Sequence, residues 1–483
     1  MKLSNSKLLK EQAYIDGQWV GAKAHMDVLN PANGERIAQV PDLGAEDVQA
    51  SISAAQKALP AWAAKTAKER AVILKKWYEL IVANADDLAA ILTAEQGKPL
   101  AESKGEVLYG ASFIEWFAEE GKRAYGETIP SPIKGARIMT IKQPVGVCAM
   151  ITPWNFPSAM ITRKAGPALA AGCTAIIKPA GETPLSALAL AVLAEEAGIP
   201  AGVLNVVTSS SASKVGKVFC DSAVVRKLSF TGSTHVGKIL MRQCADTMKK
   251  VSLELGGNAP FIVFDDADID AAVAGAIICK FRNAGQTCVC ANRIYVQEKI
   301  YDVFADKFAK AVLQLKVGAG DEKDVTVGPL INSDSVAKVL EHIEDALANG
   351  AEILSGGKSH PLGGTFFEPT VLKNVTPRMK IAREETFGPV APLFKFKDEA
   401  DVIAQANDTE YGLASYFYAR DVGRIWRVAE ALEYGMVAIN TPILSTEVAP
   451  FGGIKESGIG REGSKYGLDE YLEIKYVLLG GLV

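Results

Sequence analysis

The chain has 483 residues, 48% of them apolar and 22% charged, which describes a folded protein too long for one hydrophobic core. A net charge of −4 offers no long-range attraction to nucleic acid or to an anionic membrane. Seven scattered cysteines, and four histidines (His25, His235, His342, His360) without partners at metal-ligand spacing, exclude a disulfide scaffold, a bound metal and a histidine-based triad as expectations. They fit a reducing cytosol, and the polar start Met1–Lys10 lacks the apolar core of a signal peptide.

Residues 12–44, with Tyr14 to Trp19 and the turn Asn30-Pro31-Ala32-Asn33-Gly34, read as short strands joined by tight turns. From Glu46 to about Arg123 apolar residues recur at helical spacing, as in Val72, Leu74, Trp77, Leu80 and Ile81, and the cluster Phe113, Trp116, Phe117 reads as core. A section punctuated by Pro and Gly, Ala124–Lys142, then breaks the helices.

An alternation follows. Strands are predicted at Val145–Ile151, Ala175–Ile177, Val203–Val207 and Arg226–Phe230, with helices at Pro157–Gly172 and Leu185–Ala197 between them. Strands this apolar, separated by helices, predict a parallel sheet covered on both faces, with ligands beyond the carboxyl ends of its strands. The run Leu185–Ala194, closed by Glu195-Glu196, is about half the length of a membrane span. Three loops fall at predicted strand ends: Thr152–Pro157, Lys178–Gly181 and Phe230–Gly237. The last lacks the three-glycine dinucleotide fingerprint, yet a Gly-Ser-Thr turn opening a helix offers amides and a hydroxyl to a phosphate; it also reads as an ordinary turn.

A second alternating region begins after Val251–Gly257 with the strand Phe261–Phe264. Glu254 stands in an apolar run before two glycines, where burial could perturb its pKa. The acidic stretch Asp265–Asp270 reads as a solvated helix start. The most chemically suggestive stretch is Phe281–Arg293, which holds Cys288 in a polar, glycine-containing turn before the strand Ile294–Val296. Cysteine is a common core residue, but these surroundings favour a reactive thiol, with Arg282 and Arg293 as charges that could depress its pKa. With no histidine near at hand in the sequence, a carboxylate is the expected base.

Taken together, Pro153-Trp154-Asn155-Phe156-Pro157, Phe230-Thr231-Gly232-Ser233-Thr234, Leu253-Glu254-Leu255-Gly256-Gly257, Gly285-Gln286-Thr287-Cys288 and Glu385-Thr386-Phe387-Gly388-Pro389 resemble the aldehyde dehydrogenase superfamily over nearly the whole chain. Phe281–Cys290 and Ile161–Gly166 are most similar to the bacterial succinate-semialdehyde dehydrogenases. The resemblance implies an α/β fold of two Rossmann-like parallel-sheet domains plus a small β oligomerisation arm. The expected boundaries are 1–125 and 146–255 for the dinucleotide-binding domain, 256–450 for the catalytic domain, and 126–145 with 451–483 for the arm.

It further implies Cys288 as nucleophile, Asn155 with a backbone N–H as oxyanion hole and Glu254 as the base that activates water. Trp154, Gly232, Ser233 and Leu255 would line the dinucleotide path, Glu385 would hold the nicotinamide ribose and Lys178 the adenosine ribose. In the family the place of Gly181 often carries a glutamate that repels a 2′-phosphate. Gly181 removes that repulsion, Glu182 beside it could restore part of it, and the expectation is NADP or NAD with a lean to NADP. Arg163, Arg282 and Ser445 would bind a carboxylate at the far end of a short acid semialdehyde, succinate semialdehyde first and glutarate semialdehyde as the alternative; in a rival reading one arginine pairs with a local glutamate. Cys290 would be a redox partner for Cys288, or a packing residue. Chains are expected to pair through the arm into a homo-oligomer, a dimer of dimers. A non-catalytic nucleotide-binding relative is the remaining alternative, disfavoured because Cys288, Glu254 and Asn155 are all present.

Overall fold

The computed structural model describes residues 1–482. Its first sheet has eight strands in the order Gly458–Ile459, Lys250–Glu254, Val225–Thr231, Val147–Ile151, Thr174–Lys178, Leu204–Val206, Ala13–Ile15 and Gln18–Val20. The five from Lys250–Glu254 to Leu204–Val206 are parallel, Gly458–Ile459 and Ala13–Ile15 run antiparallel to them at either edge, and Gln18–Val20 pairs antiparallel with Ala13–Ile15. Val147–Ile151 and Thr174–Lys178 are buried along their whole length, because helices cover both faces. Helix Ala159–Ala171 is likewise buried on every side.

The chain builds outward from Val147–Ile151 in one direction to Leu204–Val206, then returns to add Val225–Thr231 and Lys250–Glu254 on the other. That reversal opens a crevice at the carboxyl ends of Val147–Ile151 and Val225–Thr231. The loops Thr152–Pro157 and Gly232-Ser233 therefore flank one crevice.

A second, seven-stranded sheet runs Glu352–Ser355, Thr370–Lys373, Val390–Phe396, Ala291–Gln297, Ala259–Val263, Ala414–Tyr418 and Met436–Ile439, parallel except at its first pair. Only Leu255 to Asn258 separates Glu254, the end of a first-sheet strand, from Ala259, the start of a second-sheet strand. The carboxyl edge of one sheet thus faces the amino edge of the other. The acidic stretch is a helix start, with Asp268 capping Ile269–Phe281 through the Ala271 N–H, and Arg424 pairs with Asp265 and Asp266. Phe113 and Phe117 are core, as their spacing indicates.

A three-stranded antiparallel sheet joins Leu472–Leu479, Arg137–Pro144 and Thr128–Ile129. The arm boundary expected at residue 451 needs correction. Gly458–Ile459 pairs with Lys250–Glu254 at the edge of the first sheet, and helix Ser464–Asp469 packs on the two helices Leu100–Glu120 and Ala159–Ala171. Only from Leu472 does the chain enter the arm sheet, because Phe451, Glu462 and Leu468 are needed as buried groups in the main body.

Candidate active site

Two cavities meet at Cys288. One, about 240 Å³, is lined by Trp154, Asn155, Gly232, Ser233, Leu255, Glu385 and Phe387, and the other, about 290 Å³, by Tyr109, Phe156, Arg163, Arg282, Ser445 and Phe451. A group reacting at Cys288 is therefore reachable from two sides.

The turn before the nucleophile is unusual. Asn283, Ala284 and Gly285 all have positive φ (51°, 54° and 76°), which costs energy at the two residues with a Cβ. Asn283 is held there by hydrogen bonds: its N–H donates to Glu102 Oε2 (2.8 Å), its Oδ1 accepts from Gln96 (2.9 Å) and its Nδ2 donates to the Asn155 carbonyl (3.1 Å). At Gly285 a Cβ would stand 2.2 Å from the Gly388 carbonyl oxygen, and at Gly257 one would stand 2.4 Å from that of Cys288, so neither site admits a side chain. The nucleophile's turn is wedged between these two glycine contacts.

Asn155 lies in the loop after Val147–Ile151, and its Nδ2 donates to the Gln286 carbonyl at 3.0 Å. Its second amide hydrogen remains for the cavity that it lines beside Cys288. Among the described residues, the Cys288 backbone N–H donates to no protein acceptor. The pair has the donor composition of an oxyanion hole. Behind it the buried Lys98 donates to the Asn155 carbonyl (2.7 Å) and to Glu106 (2.5 Å), and Glu106 accepts the Ser158 and Ala159 N–H groups at the start of the next helix.

The Cys288 thiol is pushed up to about 12, chiefly by burial and then by Glu385, with Arg163 and Arg282 pulling weakly the other way. Arg282 acts in the expected direction but is outweighed by burial, and Arg293 is not among the charges that act on the thiol. Arg293 is buried elsewhere, donating to the carbonyls of Asn258 and Ala406 and to the Tyr434 hydroxyl. The outward alternation of strand Ala291–Gln297 carries its side chain away from the cavity.

Glu254 is buried, its Oε2 has no hydrogen-bond partner, and burial together with the nearby Glu462 holds its carboxyl well above the usual range. It is close enough to raise the Cys288 thiol, yet it lines neither cavity and faces the Arg163, Lys164 and Arg461 charges instead. Glu385 accepts the Gly257 N–H at 3.2 Å and is raised to about 8 by burial. Its neighbour Thr386 bonds the buried His342 (3.0 Å), which in turn meets Glu384 (3.3 Å).

Arg163 and Arg282 both reach the 290 Å³ cavity, but their states differ. Arg163 is 2% exposed and lies 2.7 Å from Glu462, while its Nε has no partner. Arg282 makes no ion pair among the described residues and lies over the Phe156 ring at 5.5 Å. Arg163 thus pairs with a glutamate, Glu462, that lies 299 positions away in sequence rather than nearby, and it lines the cavity with Arg282 all the same.

Lys178 ends its strand as expected, buried, with its pKa lowered by burial against the pull of Glu182 and Asp42. It and Gly181 lie outside the 240 Å³ cavity, and a Cβ at Gly181 would meet nothing within 4 Å. The Cys288–Cys290 pairing is not found. All seven cysteines are free, and Cys290 turns its thiol to the Lys280 carbonyl at 3.4 Å, so a bridge would require it to leave that buried position.

Several site residues escape sequence reasoning: Lys98, Glu102, Glu106 and Tyr109 on or before helix Leu100–Glu120, and Phe451. Glu102, Glu106 and Tyr109 recur at helical spacing, a signal that could have marked one face, but nothing local says that this face meets Cys288. No helix among the described residues is long and apolar enough to cross a membrane.

A cysteine thiol at the junction of two cavities, with amide donors beside it and a buried carboxylate close by, on two facing parallel sheets, is the arrangement of a thiol-dependent α/β enzyme. The chain belongs to the aldehyde dehydrogenase family, whose sequence model matches residues 19–477. It is 64% identical to succinate-semialdehyde dehydrogenase [NADP(+)] of Escherichia coli strain K12, over 99% of this chain and 100% of that one. It is also 64% identical to glutarate-semialdehyde dehydrogenase of Pseudomonas aeruginosa, over the full length of both. The crystal structure of succinate-semialdehyde dehydrogenase from Burkholderia pseudomallei superposes with a TM-score of 0.99 at 60% identity, covering all of both chains.

Proposed function

We propose that this enzyme oxidises succinate semialdehyde to succinate with NADP or NAD. The observation that carries the reading is the pair of guanidiniums, one of them without any carboxylate partner, in the cavity on the far side of Cys288 from Asn155 and Glu385. A buried cation and a half-buried one with so few counter-charges are costly until an anion joins them. A short aldehyde ending in a carboxylate supplies that anion and leaves its carbonyl at the thiol, and Ser445 adds a hydroxyl donor.

The Cys288 thiol gives up its proton to water in the site as Sγ adds to the aldehyde carbon, and the new oxyanion is held by the Asn155 amide and the Cys288 N–H. When bound, the dinucleotide supplies a positively charged ring that favours the thiolate and accepts the hydride; Trp154, Gly232, Ser233, Leu255 and Glu385 would hold it, with Lys178 and Gly181 at the adenosine end. These residues fit such a group. Ser233 caps helix Thr234–Ala245 so that free N–H groups face the crevice, Trp154 and Phe387 make an edge-to-face wall at 5.5 Å, and the space beside Gly181 is open. Loss of the hydride leaves a thioester on Cys288. Glu254 takes a proton from water, the hydroxide adds to the acyl carbon, the C–S bond breaks, and the acid departs.

The open space at Gly181 supports the lean to NADP, and the Escherichia coli relative carries NADP(+) in its name. Glutarate semialdehyde, one carbon longer, is the second reading, favoured by the equally similar Pseudomonas relative. Domain limits of 1–125 and 146–255 for cofactor, 256–450 for catalysis, and an arm built on 126–145 and 472–482 fit this chemistry. The arm's edge strand exposes Ile474, Tyr476 and Leu479, and it would add to a neighbour's sheet to make a dimer and then a dimer of dimers. The free cysteines suit the cytosol. Initial rates with succinate semialdehyde, glutarate semialdehyde and butanal, each with both cofactors, test the reading; a preference for butanal would refute it.

A further inference from the structure

Tyr109 stands on helix Leu100–Glu120, seven residues after Glu102 and three after Glu106, and these three share the helix face that lines the 290 Å³ cavity. Its ring is fixed edge-on against Phe113, with centroids 5.0 Å apart. Its hydroxyl oxygen is buried and has no hydrogen-bond partner. Nearly every buried hydroxyl in a folded protein is bonded, so an orphan on a residue that lines a cavity marks a place for something else.

The neighbours say what. Arg163 and Arg282 act on the hydroxyl from close by, and the Ser445 hydroxyl lies within its reach without closing a hydrogen bond of good geometry. A guanidinium can only donate, and Arg163 Nε is itself buried without a partner. The nearby acids are already engaged, Glu102 by the Asn283 N–H and Glu106 by Lys98 and two amides. Burial raises the Tyr109 pKa, which keeps the group a neutral O–H donor. Donors therefore converge from a helix, a second helix and the nucleophile's turn on a cavity whose two acids, Glu102 and Glu106, already accept from backbone N–H groups.

We infer that the Tyr109 hydroxyl donates a hydrogen bond to the distal carboxylate of the substrate and is a specificity-determining residue for acid over neutral aldehydes. The inference rests on the acid-semialdehyde reading and names a contact within it. A neutral aldehyde of the same length presents a methyl group there, and the hydroxyl stays unpaired. Discrimination then comes from the site's own unmet donor as well as from charge.

Tyr109→Phe removes the oxygen and keeps the ring that packs on Phe113. With the wild type and this variant, kcat/KM is measured for succinate semialdehyde and for butanal. The expected result is a fall of about 10- to 100-fold for succinate semialdehyde, mainly through KM, with butanal unchanged within about twofold. Equal losses on both substrates would make Tyr109 merely structural, and no loss on either would remove the contact; both outcomes overturn the inference. A wild type that prefers butanal fails the acid-semialdehyde reading itself, and that is seen before the variant is made.

Discussion

Arg163 lies 2.7 Å from Glu462, and the other oxygen of that carboxylate takes Lys164 at 2.5 Å. Arg163 is thus part structural and part substrate-facing, whereas Arg282 has no such tie. Arg282→Ala should cost about 30- to 1,000-fold in kcat/KM for succinate semialdehyde, little for butanal and little in stability. Arg163→Ala should lose selectivity and also about 1–3 kcal/mol of stability, since buried Glu462 is left with one partner. Denaturant unfolding of both variants beside the two-substrate rates separates the roles; equal destabilisation would contradict the asymmetry.

Cys288→Ala should abolish oxidation, while Glu254→Gln should release one burst of reduced cofactor and stall before hydrolysis. Glu254 works as a base only when ionised, and burial together with Glu462 raises its pKa above the ordinary carboxylate range, so its ionised fraction grows with pH beyond that range. The hydrolytic step should accordingly quicken as pH rises from 6 to 9. Rapid-mixing traces across that range test this; hydrolysis that is flat with pH, or normal turnover by Glu254→Gln, would remove Glu254 from the role.

Lys98→Met leaves Glu106 buried without its cation and the Asn155 carbonyl with the Asn283 amide as its remaining donor. Breaking such a pair costs about 3–5 kcal/mol. The variant should unfold at lower denaturant, and at temperatures where it stays folded its kcat should fall more than its KM rises, because the oxyanion donor is displaced. Unchanged kcat in the folded variant would separate Lys98 from Asn155.

Gly181→Glu places a carboxylate in open space beside Lys178, so it should fold normally. Repulsion of a 2′-phosphate should cut kcat/KM with NADP by about tenfold or more and leave NAD largely unaffected. Parallel cofactor titrations of both proteins decide it, and equal effects on the two cofactors would mean that the adenosine end lies elsewhere.

Much of the molecule was legible in the linear chain. The strands Val147–Ile151 and Thr174–Lys178 declare a doubly covered parallel sheet because burial on both faces demands a run of consecutive apolar side chains, Val147 to Ile151 and Ala175 to Ile177. Cys288, Asn155, Glu254 and Glu385 are carried by short motifs whose chemistry and spacing are local. Tertiary structure decided how these groups feel one another. Glu462, 299 positions from Arg163, determines that this arginine is paired and Arg282 is not. Burial, a property of the whole fold, outweighs the adjacent positive charge and raises the Cys288 thiol. Sequence proximity placed Arg293 near the nucleophile, but strand alternation sends it to Asn258 and Tyr434. Tyr109 reads in the chain as one more helical aromatic, and only the packing of its helix against the nucleophile's turn leaves its hydroxyl unpaired in the cavity.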